Sequence, residues 1–263
     1  MSSSTIDMTN LPGKAFELGS PVAEFRAAPD RPWVPIVFLV IVGLFFATVG
    51  ALVFLNTAHP IWVVMIFGLA LLAVAGWQIY SVIHNRDLRV VVFEKGFVCV
   101  RGGKKHVVPW DEITGVYQHN VNVYYRNALM YTSHGTSHTY TVWTEDRTHL
   151  VLNDKIANIE ALGTMIQKQA TESLLPDYLS DYEDGERLGF NLLRLSKEGI
   201  SKSGQLLPWD QVESVGLARG VIIVRRLGAK ANWATQSVAM TPNLFVFLHI
   251  VYQVAGVRRM DGA

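Results

Sequence analysis

Pro109-Trp110-Asp111-Glu112-Ile113-Thr114-Gly115-Val116 returns further along the chain as Pro208-Trp209-Asp210-Gln211-Val212-Glu213-Ser214-Val215. Each copy follows a charged turn ending in glycine, Glu94-Lys95-Gly96 in the first and Lys197-Glu198-Gly199 in the second. Pro-Trp-Asp with aliphatic residues at matching positions does not recur by accident in 263 residues. One β-rich unit therefore occurs twice.

The residues around the first copy carry strand signals. Residues 88–93, 97–101 and 106–110 are rich in valine and aromatics and are separated by Gly96 and Gly102-Gly103. Residues 113–117, 121–125, 139–143 and 149–152 have the same β-branched and aromatic character. Asn153-Asp154 then caps a helix over 155–172, with Ile156, Ile159, Leu162 and Ile166 on one face. The second copy has strands over 190–195, 206–209, 212–217 and 221–225. Thr241-Pro242 opens a helix reaching residue 257. From Leu244 this helix has 14 residues and includes His249 and Gln253, too short and polar to cross a membrane. The second copy is shorter, departs from the pattern and is expected to hold too few strands for a full sheet.

A charged Gly turn, a short hairpin and a Pro-Trp-Asp-x-(Ile/Val)-x-x-Val strand resemble bacterial pleckstrin-homology-like (PH-like) domains fused to membrane spans. The resemblance covers about 86–172 and 187–259. It implies a curved antiparallel sheet or partial barrel plugged by a C-terminal helix, and it implies little chemistry.

Composition divides the chain differently. Overall it has 23 Lys+Arg, 22 Asp+Glu, a net charge of +1 and 50% hydrophobic residues. The mean hydropathy is +0.23. The near-neutral charge argues against a nucleic-acid partner. One cysteine, Cys99, excludes an internal disulfide and a Cys-rich zinc site. From Pro32 to Asn85 there is no Asp, Glu, Lys or Arg. Residues 34–55 and 61–83 hold 18 of 22 and 19 of 23 hydrophobic positions, with Asn56-Thr57-Ala58-His59-Pro60 between them. Each segment is about 33 Å long as a helix, enough for a ~30 Å hydrocarbon core. The sixteen Leu, Ile, Phe and Val residues of the first favour insertion by roughly 5–10 kcal/mol. Trp33, Trp62, Trp77 and Tyr80 sit where interfacial aromatics belong. Gly43, Ala47 and Ala51 form a small-residue strip that Gly68, Ala75 and Gly76 are placed to face.

The turn has no basic residue, whereas the flanks hold Arg26, Arg31, Arg86, Arg89 and Lys95. Both termini are therefore expected in the cytoplasm, in a multi-pass cell-membrane protein with two spans. No apolar signal-peptide core precedes the hairpin. The expected organisation is a membrane-anchored α+β chain. It comprises a disordered cytoplasmic tail (1–31), a transmembrane helical hairpin (32–85), a first PH-like unit (86–172), an acidic linker (173–186) and a second PH-like unit (187–263).

Trp110 and Trp209 are expected in the cores with their indole N–H groups on backbone carbonyls. Pro109, Asp111, Pro208 and Asp210 complete this structural repeat, the aspartates bonding local backbone at the start of the next strand. The turn Arg101-Gly102-Gly103-Lys104-Lys105-His106 is the best lipid candidate. In eukaryotic PH domains, basic residues near the first hairpins grip phosphoinositides, which the resemblance carries to Arg101, Lys104 and Lys105. A second basic group, Arg219, Arg225, Arg226 and Lys230, supplies the further lipid candidates Arg225 and Arg226. His134 and His138, with His119 upstream, lie in a Gly/Thr/Ser-rich loop without a carboxylate between them, a poor metal motif. Residues 177–186 lack the acidic spacing of a calcium loop. Cys99, inside a strand, is expected to be buried and inert.

These features favour a membrane-anchored interaction or scaffold module over an enzyme, with no cofactor and no metal. Its expected partners are the lipid bilayer and a protein or second copy of the chain. The alternative is a membrane enzyme using His134, His138 and Glu145 or Asp146.

Overall fold

The computed structural model describes residues 17–28, 33–56, 62–126 and 132–258. Two helices, α1 (Trp33–Asn56) and α2 (Trp62–His84), match the apolar segments and are long and apolar enough to cross a membrane. Gly43 and Gly68 set their spacing: a Cβ on Gly68 would overlap the Ala47 backbone nitrogen and come within 2.7 Å of the Gly43 carbonyl. Gly50 plays the same part against Met65. Gly76 faces open space and takes no part in the contact.

A strand precedes the hairpin. β1 (Pro21–Arg26) pairs antiparallel with β2 (Arg89–Phe93), which continues through β3 (Gly96–Arg101) and β4 (Lys104–Pro109) in a four-stranded sheet. The reading of 1–31 as a disordered tail is thus corrected for residues 21–26, and the first unit begins before the hairpin. Ala23, Phe25 and Ala27 alternate on one face and pack against the core. Residues 1–16 lie outside the described residues.

The second sheet of this unit is β5 (Ile113–Arg126), β6 (Thr132–Thr144) and β7 (His149–Asn153). Leu88, Val90, Val92, Phe97, Cys99 and Trp110 form the core with Ile113, Tyr140, Val142 and Leu152. Helix α3 (Ile159–Glu183) closes it through Ile159, Leu162, Ile166 and Ala170. Gly163 is needed there, because a Cβ would run into the Tyr140 ring.

The second unit repeats the plan. β8 (Leu188–Phe190), β9 (Leu193–Ser196), β10 (Gly199–Lys202) and β11 (Gln205–Pro208) form four strands. β12 (Val212–Ala218), β13 (Val221–Arg226) and β14 (Asn232–Ser237) form three. Helix α4 (Leu244–His249) and a wider helical turn over Ile250–Val254 close the core. The second copy is complete, correcting the expectation of too few strands; its strands are short, three to seven residues.

Residues 173–186 form no linker. α3 runs to Glu183 with Pro176 inside it, and Leu174, Leu175, Tyr178 and Leu179 pack on the second core. One helix thus serves both units. Both closing helices begin after an asparagine in the left-handed region, Asn158 (φ 54) before α3 and Asn243 (φ 49) before α4. The starts expected at Asn153-Asp154 and Thr241-Pro242 move accordingly. The Thr241 hydroxyl donates back to the Ser237 carbonyl instead of capping α4.

Asn243 also joins the units. Its Oδ1 accepts from the Val116 amide at 2.9 Å and its Nδ2 donates to the Thr114 carbonyl at 3.1 Å.

Candidate functional site at the hairpin pole

The two units align strand for strand, which shows where the hairpin is placed. Gly96 faces Pro109 as Gly199 faces Pro208. The Trp110 amide donates to the Lys95 carbonyl as the Trp209 amide donates to Glu198. Indole Nε1 of Trp110 donates to the Glu94 carbonyl at 3.1 Å, and that of Trp209 to Ser196 at 2.9 Å. Asp111 and Asp210 are exposed. The bonds at the start of the following strands come instead from tryptophan carbonyls, which accept from Ile113 and Val212. By this alignment β8 matches β1, and Asn191-Leu192 occupies the place of residues 27–88. The hairpin is an insertion at a two-residue turn.

Both ends of the hairpin therefore return to one pole of the first unit. Ala27 donates to the Leu88 carbonyl at 2.9 Å, and Ala28 to Lys155 at 2.7 Å. The Arg101 guanidinium donates from Nε to Asn85 Oδ1 at 3.2 Å. Lys155 Nζ donates to Ser81 Oγ at 3.2 Å. On α2, Tyr80 stacks on His84 with ring centroids 5.6 Å apart, and the His84 imidazole lies under Gly102 of the β3–β4 turn. Gly102 has φ 55, so both the turn and the contact require glycine.

Strand register then gathers charge. Arg26 pairs with Arg89, Arg89 with Val100, and Val100 with Lys105. Directly opposed residues share a face, so these side chains form a row across all four strands. A cleft of about 610 Å³ opens beside the row, lined by Arg26, Arg86, Asp87, Arg89 and Lys105. Glu24, its side chain 6% exposed, pairs with Arg26 at 3.0 Å and Arg89 at 3.9 Å. Four cations face two carboxylates. A neighbouring cleft of about 380 Å³ lies between Ala27-Ala28 and α2, lined by Trp77, Ser81, Asn85, Arg86 and Lys155.

The chain belongs to a family of unknown function, DUF6585. The family's model matches residues 8–259, so the hairpin and both β units fall within the DUF6585 span. No curated protein and no solved structure matches the chain.

Of the lipid candidates, Lys105 lines the larger cleft and Lys104 is exposed on the same turn. Arg101 is engaged with Asn85, just after α2, and with the Val151 carbonyl. Arg225 and Arg226 lie at the end of β13 away from its turn with β12, where Arg226 donates to Gln211. They are not part of this cleft. Sequence reading missed Arg26, Arg86 and Arg89 as one group because β1 and β2 are separated by the hairpin.

His138 and Asp146 are not brought together. His134 and His138 belong to strand β6, not to a loop, and the His134 side chain lies outside the described residues. Asp146 sits in the β6–β7 turn, where the Thr144 and Thr148 hydroxyls donate to it and hold its carboxyl below the usual carboxylate range. Six residues of strand, about 20 Å, separate His138 from Thr144. Among the described residues no three His, Cys, Asp or Glu side chains converge on a metal position. Cys99 is 1% exposed, and burial pushes its thiol up to about 11, against a weaker lowering by Arg101.

Proposed function

We propose that this chain is a two-span cell-membrane protein whose tandem PH-like units form an interaction module on the cytoplasmic face, with the first unit's hairpin pole against anionic lipid headgroups. The carrying observation is the position of the hairpin inside the β1–β2 connection. A unit whose own sheet is completed across the hairpin cannot stand away from the bilayer that holds it. Two facts support the membrane. Val34, Phe38, Ile41 and Phe45 are 60–79% exposed, and only 17% and 11% of the most apolar stretches of the two helices are buried. Water would not tolerate that apolar surface. Basic flanks at Arg26, Arg86 and Arg89 favour the cytoplasmic side. The PH-like reading is supported in each unit by four strands, then three, then a closing helix.

The basic cleft supports lipid contact, each cation near an anionic surface being worth about 1 kcal/mol. The enzyme alternative is not favoured, since His138 and Asp146 stand apart.

Two measurements test the reading. Carbonate washing of membranes should leave the full-length protein in the pellet; release into the supernatant would overturn it. Purified full-length protein in nanodiscs should enrich phosphatidylglycerol over phosphatidylcholine. R86Q/K105Q should lose about tenfold or more of that preference, from roughly 2 kcal/mol. Equal enrichment in both proteins would remove the cleft from the lipid contact.

A further inference from the structure

The β5–β6 pair is longer than the sheet that contains it. β7 pairs with β6 only from Thr139 (opposite Asn153) to Trp143 (opposite His149). Beyond Thr139, β5 and β6 remain paired with each other from Asn120 opposite His138 to Arg126 opposite Thr132. That two-stranded ribbon extends about 20 Å past the end of β7. The second unit has no such extension: β12 and β13 turn at Arg219-Gly220, and Val221 is level with Ser237, the last residue of β14.

The ribbon leaves the unit at the hairpin pole. At its root, Ser137 Oγ donates to Asp154 Oδ2 at 2.6 Å and the His138 amide donates to Asp154 Oδ1 at 3.0 Å. The next residue, Lys155, bonds Ser81 in the last turns of α2. One side chain thus links the ribbon root to the residue before the helix contact.

Its sequence is unusual for a strand pair in water. From Ile113 to Thr144, Arg126 is the only Asp, Glu, Lys or Arg, and β5 ends Val121-Asn122-Val123-Tyr124-Tyr125-Arg126. Exposed ribbons in water are normally blunted by charge, above all lysine, against pairing with other chains. Tyrosine without acidic neighbours suits the boundary between headgroups and acyl chains.

We infer that the β5–β6 ribbon lies in the interfacial layer of the leaflet that the hairpin base enters, docking on phospholipid. This rests on the reading that α1 and α2 span that bilayer. The headgroup layer is about 5–8 Å thick on each side, so a 20 Å ribbon rooted beside α2 has ample length to engage it.

The test uses full-length protein in nanodiscs of phosphatidylcholine with phosphatidylglycerol. Single cysteines F38C, Y125C and L227C are labelled with an environment-sensitive fluorophore; Cys99, buried, stays unlabelled. Nitroxide-bearing phospholipids then quench in a depth-dependent way. Phe38 on α1 and Leu227 after β13 are 65% exposed each and serve as the spanning and aqueous references. Y125C should be quenched several-fold more than L227C, most by nitroxides near the headgroup, and N122C should repeat the result. Quenching at F38C with Y125C and N122C no better than L227C would overturn the ribbon inference and leave the hairpin intact. Loss of quenching at F38C as well would overturn the membrane reading itself. Ribbon cysteines that cross-link between two copies while escaping lipid quenchers would identify a second chain as the occupant and overturn the lipid assignment.

Discussion

Lys155 donates to the Ser81 hydroxyl at 3.2 Å while its carbonyl accepts from Ala28 at 2.7 Å, so one residue braces both the chain entering the hairpin and the helix leaving it. The β7–α3 connection therefore locks the insertion point of the hairpin. The second unit braces the matching turn with a side chain. Gln236 donates to the Phe190 carbonyl and accepts from the Leu193 amide at 3.0 Å, stapling a turn that carries no insertion.

Helix spacing in the hairpin depends on Gly68. Its Cβ would meet the backbone of the partner helix at Ala47 and Gly43, which cannot rotate away. G68A should lower the stability of the detergent-solubilised protein by about 1–3 kcal/mol through overpacking. G76A, facing open space, should be neutral or slightly stabilising from better helix propensity. Unfolding midpoints in a denaturing-detergent titration separate the two; equal midpoints would refute the contact.

The paired tryptophans should differ in depth but share a bond. Trp110 is 6% exposed and Trp209 is partly buried. W110A should cost roughly 3–5 kcal/mol, the range for truncating a core tryptophan, and W209A less. Phenylalanine keeps most of the packing but leaves the Glu94 or Ser196 carbonyl without its donor, a loss of about 1–3 kcal/mol. Urea unfolding of the four variants orders them.

Much of this architecture was legible in the sequence, because its signals are local. The apolar runs gave helices within a residue or two of α1 and α2, and the Pro-Trp-Asp repeat marked the same strand junction in both units. Pairing across distance was not legible. Pro21-Val22-Ala23-Glu24-Phe25-Arg26 alternates like a strand, but its partner lies beyond the hairpin, so Arg26, Arg86 and Arg89 could not be placed in one cleft. Acidic residues 177–186 suggested a solvated linker, yet Leu174, Leu175, Tyr178 and Leu179 had an apolar face to bury, and the second unit supplies it. Pro176 did not stop α3, since packing on both sides outweighs one lost helical bond.

Coupling between the units concentrates at Asn243. Glycine keeps its left-handed conformation while removing the bonds to Val116 and Thr114. N243G should leave the Val116 amide without its side-chain acceptor at the junction and cost about 1–3 kcal/mol. Hydrogen exchange should rise at Val116 and its neighbours while Ile222, in the second core, stays protected. Uniform exchange across both units would show global loosening instead.

Burial of Cys99 makes stability depend on alkaline pH. Its folded thiol titrates near 11 against an ordinary 9.0, because desolvation disfavours the thiolate. The raised value means that the neutral form is the one the fold accepts. Its contribution is full below pH 9 and is lost as the pH rises from 9 towards 11, about 3 kcal/mol in all. Tyr140 and Tyr182 are raised in the same direction by burial, so alkaline weakening should persist in part without the cysteine. C99A removes only the thiol's share, at the cost of a small cavity that is independent of pH. Urea midpoints of wild type and C99A should therefore converge and then cross as the pH is taken from about 8 to about 11. Near pH 7, where it is thiol-selective, a maleimide should modify Cys99 only after unfolding. Parallel midpoints across that range would show that the thiol ionises in the folded protein as easily as in water.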